Sequence, residues 1–318
     1  MTNNNYKLDN IINHGYEAVI YKIKIKGKYY TLRRQKIEES TYKILKNFKK
    51  LNKFKNDDLL DLIIPVNQVN DDNVILNIYF NTFINTIDTN HFTILYKYNI
   101  GESNFIMPIT DIEKNNEKLL KNVNRFNSLK YCIDTITDLK DGVLSDIMTN
   151  LNKKQVYSLI IQISYALHLM HINNYIHGDP YSKNICYKKT KLKKIKILNL
   201  DIPTYGYIFS LIDYGIIVNY KFTQRSIDKF IFNYTPSKDF MFFLMYGIFN
   251  IWLNDNKQLY YLIIKIQNNP HDKSIIKDEN FHIFDTTLLN YAETKKFILL
   301  MNDSPKLIKF FYNLLSLK

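Results

Sequence analysis

At 318 residues, with 46% hydrophobic and 23% charged residues, the chain is long enough for a large core and has ordinary globular composition. This excludes a disulfide-stapled mini-protein and a mostly disordered chain, and the scarcity of Gly and Pro (8 and 7) excludes collagen-like or linker-rich sequence. The net charge of +13 is carried almost wholly by lysine, with arginine only at Arg33, Arg34, Arg125 and Arg225. Lys, Asn, Ile and Tyr crowd the whole sequence while alanine occurs only at Ala18, Ala166 and Ala292, the bias of an A+T-rich coding sequence such as some large DNA viruses have. Part of the basic excess is therefore compositional, and no specific nucleic-acid partner is predicted from it, because clustering is the stronger footprint.

Cys132 and Cys186 are too few for a disulfide framework and lack metal-ligand spacing, which predicts a reducing compartment. The N-terminal MTNNNYKLDN lacks a signal-peptide profile. The most apolar stretch, Phe240 to Trp252, is shorter than the roughly 20 residues of a membrane span and reads as a buried helix. The expectation is a cytoplasmic protein without a membrane partner.

In chain order, residues 17–25 alternate apolar and polar, Lys26-Gly27-Lys28 turns the chain, and Tyr29 to Arg34 alternates again, which predicts a β-hairpin. A lysine-rich helix is predicted over Glu38 to Phe54, with Tyr42, Ile44, Leu45, Phe48 and Leu51 as its apolar positions. Residues 59–133 hold short apolar runs between Asn/Asp clusters and read as strands and loops. Near residue 150 the character changes. Asn152 caps a predicted helix whose Val156, Leu159, Ile160, Ile163, Leu167 and Met170 follow the helical period, ending near Asn173-Asn174. Short strand-like pieces follow, the basic run Lys188 to Lys196 is expected in a loop, and the sequence from Asp239 onward reads as largely helical, with Ile298, Leu299, Ile308, Phe311 and Leu314 as core positions. A strand-rich first part and a helical second part predict an α+β chain with two lobes.

After the long helix stands Tyr175-Ile176-His177-Gly178-Asp179-Pro180-Tyr181-Ser182-Lys183-Asn184-Ile185, and downstream Phe209-Ser210-Leu211-Ile212-Asp213-Tyr214-Gly215. An H-x-D with Asn five residues after the Asp, then an apolar strand ending in D-aromatic-G, resembles the catalytic loop and metal-binding element of the protein kinase family. Phosphoryl transfer is mostly positioning and charge neutralisation, so it needs a carboxylate for the acceptor hydroxyl and oxygen ligands for Mg²⁺. The resemblance implies Asp179 as the catalytic residue, Asn184 and Asp213 as ligands of Mg²⁺ or Mn²⁺, Gly215 as the residue that lets the backbone turn, and His177 as a packing residue.

Further matches are weaker. Ile12 to Tyr21 resembles the glycine-rich loop of that family, which implies ATP contacts from Asn13, His14, Gly15, Tyr16, Glu17, Ala18 and Ile20; only the middle glycine is present, with Asn13 and Ala18 in place of the outer two. Tyr30-Thr31-Leu32-Arg33 stands where the family carries its phosphate-binding lysine, which implies Arg33 in that role, with Lys36 as the alternative register. Glu38 and Glu39 are the candidates to orient that cation. Tyr131 to Asp134 resembles the last strand of the first lobe and Thr135 to Leu139 the hinge whose backbone binds adenine. Asp141 to Asp146 resembles the short helix after the hinge. Asp239 resembles the buried aspartate that ties a helix to the catalytic loop, and is equally readable as a helix N-cap.

Together these imply a bilobal kinase-like fold with a first lobe over 1–134, enlarged by an insertion within 66–125, and a second over 135–318. The general likeness is to divergent viral Ser/Thr protein kinases, since H-G-D also occurs in the vaccinia-related kinases; for a viral protein the place of action would be the host cytoplasm or the virion. The implied activity is transfer from ATP to a Ser/Thr hydroxyl of a protein substrate. The departures leave two alternatives: a pseudokinase scaffold, or a small-molecule phosphotransferase of the aminoglycoside or choline kinase type, which shares H-G-D.

Overall fold

The structure, a computed structural model, describes residues 7–14, 18–48, 72–84, 86–87, 90–109, 111–215, 217–219, 239–240, 243, 296, 300 and 303–316. The chain is mixed α+β and divides into two compact units, Met1–Asp88 with Thr93–Leu139, and Thr89–Phe92 with Lys140–Lys318.

The first unit is built on five antiparallel strands: β1 (Lys7–His14), β2 (Ala18–Ile25), β3 (Lys28–Ile37), β4 (Leu95–Glu102) and β5 (Tyr131–Asp138), in the order β1-β2-β3-β5-β4. The alternation of 17–25 and 29–34 forms the hairpin it predicts. Its two-residue turn, Lys26 at φ 47° and Gly27 at φ 83°, has the left-handed backbone that matches strand twist, and glycine adopts it without a Cβ clash. Ile23, Leu32 and Ile136 share one face and form a core cluster, joined on that face by Val19 packing with Met107 and Val123. Helix α1 (Glu39–Phe48) lies toward the other face, where Tyr42 stacks on Tyr131 with centroids 4.1 Å apart. The predicted helix continues to Phe54, but 49–54 lie outside the described residues.

Two segments expected as strands or loops are helices. These are α2 (Asp72–Ile84) and α4 (Glu117–Ser128), the latter preceded by the single turn α3 (Asp111–Lys114). The sequence of α2, DNVILNIYFNTFI, is apolar on nearly every side, so no helical stripe stands out from it. In α4 the polar residue read as loop, Asn116, is the N-cap, its Oδ1 accepting from the Leu119 N–H at 3.2 Å. Strand β5 also runs past the expected hinge start, because Thr135, Ile136 and Thr137 keep a β-branched, alternating pattern.

The second unit is organised by a 20-residue helix, α6 (Lys153–Ile172), reached through β6 (Gly142–Val143), α5 (Leu144–Ile147) and a 3₁₀ turn (Met148–Asn150). Asn152 and Gln155 cap α6 reciprocally, each side chain accepting from the other's N–H. Val156, Leu159, Ile160, Ile163, Leu167 and Met170 are all buried, each stabilising the fold by about 1.5–3 kcal/mol relative to exposure. One face of α6 receives α7 (Ser304–Ser316), with Tyr157 against Phe311. In α7 the buried positions are Leu307, Ile308, Phe310, Phe311 and Leu315, whereas the expected Leu314 is only half-buried; Ile298 and Leu299 lie outside the described residues.

After α6 come β7 (Tyr175–Ile176), a 3₁₀ turn (Ser182–Asn184), β8 (Ile185–Lys189), β9 (Lys194–Ile197), β10 (Leu200–Pro203), β11 (Tyr207–Leu211) and β12 (Val218–Asn219). Strands β8 and β11 pair antiparallel, with β6 on the other side of β8, and β12 pairs β7. The basic run 188–196 is loop only over 190–193: its first two residues close β8 and its last three open β9, which pairs β10 as a separate ribbon. The ribbon's apolar alternation, Ile195 and Ile197 facing Ile202 and Leu200, supplies the buried side that a run of lysines conceals in a sequence reading. Residues 89–92 belong to this unit rather than to the sheet before and after them. Phe92 bridges Leu211 in parallel, and His91 O accepts from the Leu211 N–H at 3.0 Å. Among the described residues no helix is long and apolar enough to cross a membrane. The apolar stretch 240–252 lies outside them except for Phe240 and Phe243, both buried.

Candidate functional site

The segment after α6 is fixed by a carboxylate that comes from 60 residues away. Asp239 is fully buried; Oδ2 accepts from the His177 N–H at 2.7 Å and from His171 Nε2 at 3.0 Å, and Oδ1 accepts from the Gly178 N–H at 2.8 Å. Charge-assisted bonds of this kind are the strong ones, and here they satisfy two backbone donors that burial would otherwise orphan. Asp239 thus ties its segment to the loop. Gly178, at φ 82°, takes a left-handed conformation at the point where the loop turns under this carboxylate.

His177 is the second pin. Its ring is buried, Nε2 donates to Ile212 O at 3.0 Å, and that tautomer leaves Nδ1 to accept the Asp179 N–H at 3.3 Å. Burial pushes its pKa down, so the ring stays neutral and keeps both roles. Tyr214 stands against it with centroids 5.5 Å apart, itself fully buried and donating its hydroxyl to Leu211 O at 2.7 Å. The imidazole therefore couples the loop holding Asp179 to the strand end holding Asp213.

Between these two aspartates lies Asn184. It is buried, and its Nδ2 donates both to Asp179 O and to Asp179 Oδ2, each at 3.0 Å. Its backbone accepts from the Ile212 N–H at 3.0 Å, one residue before Asp213. The Asp179 carboxyl is pushed up to about 6, first by burial and then by the Asp213 carboxylate, against the opposing bond from Asn184. Asp213 is exposed and sits at φ 61°, a conformation costing a non-glycine residue about 1–2 kcal/mol. The left-handed backbone of this turn thus falls on the aspartate itself, and the Gly215 N–H reaches back to its Oδ1 at 3.4 Å.

The arrangement brings together three of the residues singled out from the sequence: Asp179, Asn184 and Asp213. With Nδ2 of Asn184 held by Asp179, the side-chain oxygens that remain on Asn184 and on the mutually repelling Asp179 and Asp213 carboxylates are hard donors, of the chemical type that a divalent cation such as Mg²⁺ or Mn²⁺ takes.

The remaining candidates lie in the sheet unit. Arg33 pairs in register with Ile20 on β2 and with Thr135 on β5, so these three share a sheet face; Arg33 is half-buried and forms no ion pair among the described residues. Ala18, at the start of β2, is buried. Asn13 and His14 end β1 at register positions opposite Ile20 and Val19, while Gly15, Tyr16 and Glu17 lie outside the described residues.

Lys36 is on the opposite face from Arg33, since three strand positions separate them. It is buried, and its Nζ donates to Ser103 O and Leu129 O at 2.7 Å each. Burial pushes its pKa down. It is a structural bolt for the segments flanking α4, and the alternative register gives it no opening to a ligand. Glu38 pairs with Arg125 and Glu39 with Lys43, each at 2.9 Å, so neither is engaged with Arg33. The expected adenine-binding backbone is also committed. Residues 135–138 continue β5 between β3 and β4, and the Asp138 N–H donates to Ile94 O at 3.2 Å.

Sequence reasoning missed two contributors. His171, in the last turn of α6, braces Asp239. Residues 90–92 line β11: Asn90 O accepts from Ser210 Oγ at 2.8 Å and His91 Nδ1 lies 3.0 Å from Phe209 O. His171 could have been found as the buried member of the two histidines that close an apolar helix; residues 90–92 carry no local signal, since their partners are about 120 positions away. Compared with known proteins, the chain matches no protein-family model and no curated sequence.

Proposed function

We propose that the chain has a bilobal protein kinase-like fold and transfers a phosphoryl group from ATP to a Ser/Thr hydroxyl of a protein substrate. The observation that carries this reading is the Asp179–Asn184–Asp213 cluster, in which one amide holds the first carboxylate while burial, and after it the second carboxylate, raises its pKa to about 6. A carboxylate with that pKa is ionised at neutral pH yet more basic than an ordinary aspartate, which suits it to orient an acceptor hydroxyl and take its proton.

ATP would supply the phosphoryl group and Mg²⁺ or Mn²⁺ the positive charge that neutralises its phosphates. Asn184 and Asp213 would hold the metal. Asp179 would receive the hydroxyl proton on Oδ1 while Oδ2 stays bonded to Asn184. Arg33 would contribute a guanidinium to the phosphates, where its fork matches phosphate oxygens. Ala18 and Ile20 would line the nucleotide side of β2, with Asn13 and His14 at the end of β1 beside it.

The test is transfer of label from γ-labelled ATP to a protein acceptor with Mg²⁺ or Mn²⁺, beside Asp179→Asn. Transfer should fall by about 10²–10⁴-fold in the variant with nucleotide affinity retained. Activity surviving that change would sink the role given to Asp179. A non-catalytic scaffold is the second reading. Its support is the pairing of Glu38 and Glu39 with cations other than Arg33 and the use of the Asp138 N–H within the sheet. It predicts no transfer and no thermal stabilisation by ATP with metal.

A further inference from the structure

The β9–β10 ribbon lies outside everything assigned to phosphoryl transfer, and its charge is not the diffuse excess of the rest of the chain. Over the whole protein 43 basic residues face 30 acidic ones. In 188–203 six lysines, at 188, 189, 191, 193, 194 and 196, face the single acid Asp201, and all six are exposed. Such clustering is the footprint that net charge alone does not provide.

The ribbon is also held firmly. Ile197 and Ile202 are fully buried, Ser158 Oγ on α6 donates to Pro203 O at 2.6 Å, and Gln155 Nε2 donates to Tyr205 O at 3.3 Å. The Pro203 contact turns the outer edge of β10 toward α6. The outer edge of β9 is left without a strand partner among the described residues. Lys194 and Lys196 alternate on one face, about 6.8 Å apart at the usual strand rise. Leu192 and Leu198, 55% and 38% exposed, bracket the strand at its two ends.

An open edge is a template for another strand, and edge lysines decide which strand it accepts. Those of β9 repel a second copy of the same strand and attract an acidic one. The ribbon already contains the interaction in miniature: Asp201, directly opposite Lys196 on β10, binds its ammonium at 2.8 Å, and that bond lowers the Asp201 pKa. The surface offers neither an arginine fork nor an exposed aromatic ring for a base, while the two leucines would find no apolar partner on a phosphate backbone. We propose that the free edge of β9 docks an extended acidic polypeptide segment of a partner protein as a third strand, with acidic side chains at alternate positions against Lys194 and Lys196 and apolar residues against Leu192 and Leu198.

The test uses the full chain and fluorescence anisotropy of a labelled short peptide alternating glutamate and valine. Three further probes accompany it: a peptide of equal charge with proline at the alternate positions, a single-stranded oligonucleotide of equal charge, and phosphatidylserine vesicles. The glutamate–valine peptide should bind most tightly, lose about tenfold when Lys194→Glu and Lys196→Glu are combined, and weaken with salt. A lysine–valine peptide should bind that double variant better than it binds the parent. The proposal is overturned if the proline peptide binds as well, because main-chain pairing is then not used. Preference for the oligonucleotide or the vesicles would overturn the partner class, and indifference to the double variant, with its thermal midpoint unchanged, would remove the ribbon as the site.

Discussion

The loop around Asp179 and the strand around Arg33 position charged groups by opposite means. In the loop, each group is held by several partners: the Asp179 carboxylate by Asn184, the loop amides by Asp239, and the imidazole of His177 by a carbonyl on one side and an amide on the other. On β3 the commitments alternate with the pleat. Arg34 forks onto Asp134 with two bonds of 2.7 Å and Lys36 is spent on two carbonyls, while Arg33, just before them and on the other face, has no such partner among the described residues. Neighbours one residue apart are thus assigned to structure or left for chemistry by the period of the strand alone. The same period leaves Arg33 on the face it shares with Ile20 and Thr135.

The contrast can be broken at its strongest point by Asp239→Ala. The change strands the buried His177 and Gly178 N–H groups and His171, and should cost about 3–5 kcal/mol in urea unfolding. A loss below about 1 kcal/mol would mean that the loop is held by other means. The β3 half is sharpened by a pair of neighbours. Arg34→Ala removes the guanidinium fork from the buried Asp134 carboxylate and should lower stability by about 2–4 kcal/mol, whereas Arg33→Ala should stay within about 0.5 kcal/mol and lower ATP affinity instead. Equal stability losses in the two variants would erase the distinction.

The smallest effect concerns pH. Because the folded-state pKa of Asp179 is raised to about 6 from 3.8, this group favours folding at low pH and withdraws that contribution as pH rises from about 4 through 6. Asp179→Asn should therefore be slightly more stable than the parent at pH 8 and not at pH 4, measured by thermal midpoints. On the proposed phosphoryl-transfer reading, kcat/KM of the parent should rise through an acid limb near 6. NMR titration of the free protein should place the Asp179 carboxyl near that value, and Mg²⁺ should lower it by shielding Asp213.

How much of this could be read from residues alone follows from how local each signal is. The β2–β3 hairpin and α6 were legible because turn, cap and period are contained within the segment. The Asp179, Asn184 and Asp213 cluster was legible through motif spacing, although the bonds that join its members were not. The helix α2 was hidden by being apolar all round, and α4 by a cap that looks like loop. The β9–β10 ribbon was hidden by lysines that occupy its outer face and mask an apolar inner one. The pairing of Arg34 with Asp134, rather than with an α1 glutamate, depends on register between strands 100 residues apart and has no local trace.

The excursion of residues 89–92 has a consequence for how the protein matures. The strand that ends beside Asp213 obtains its outer partner from a tetrapeptide about 120 residues earlier, across a loop whose closure must precede the contact. A nascent chain that has completed the β1–β5 sheet still carries these four residues without their strand, and a fragment beginning at residue 140 has the strand without them. Neither piece alone can finish the edge on which Asp213 is hung, so a complete second unit needs residues 90–92 as well as the chain from 140 onward.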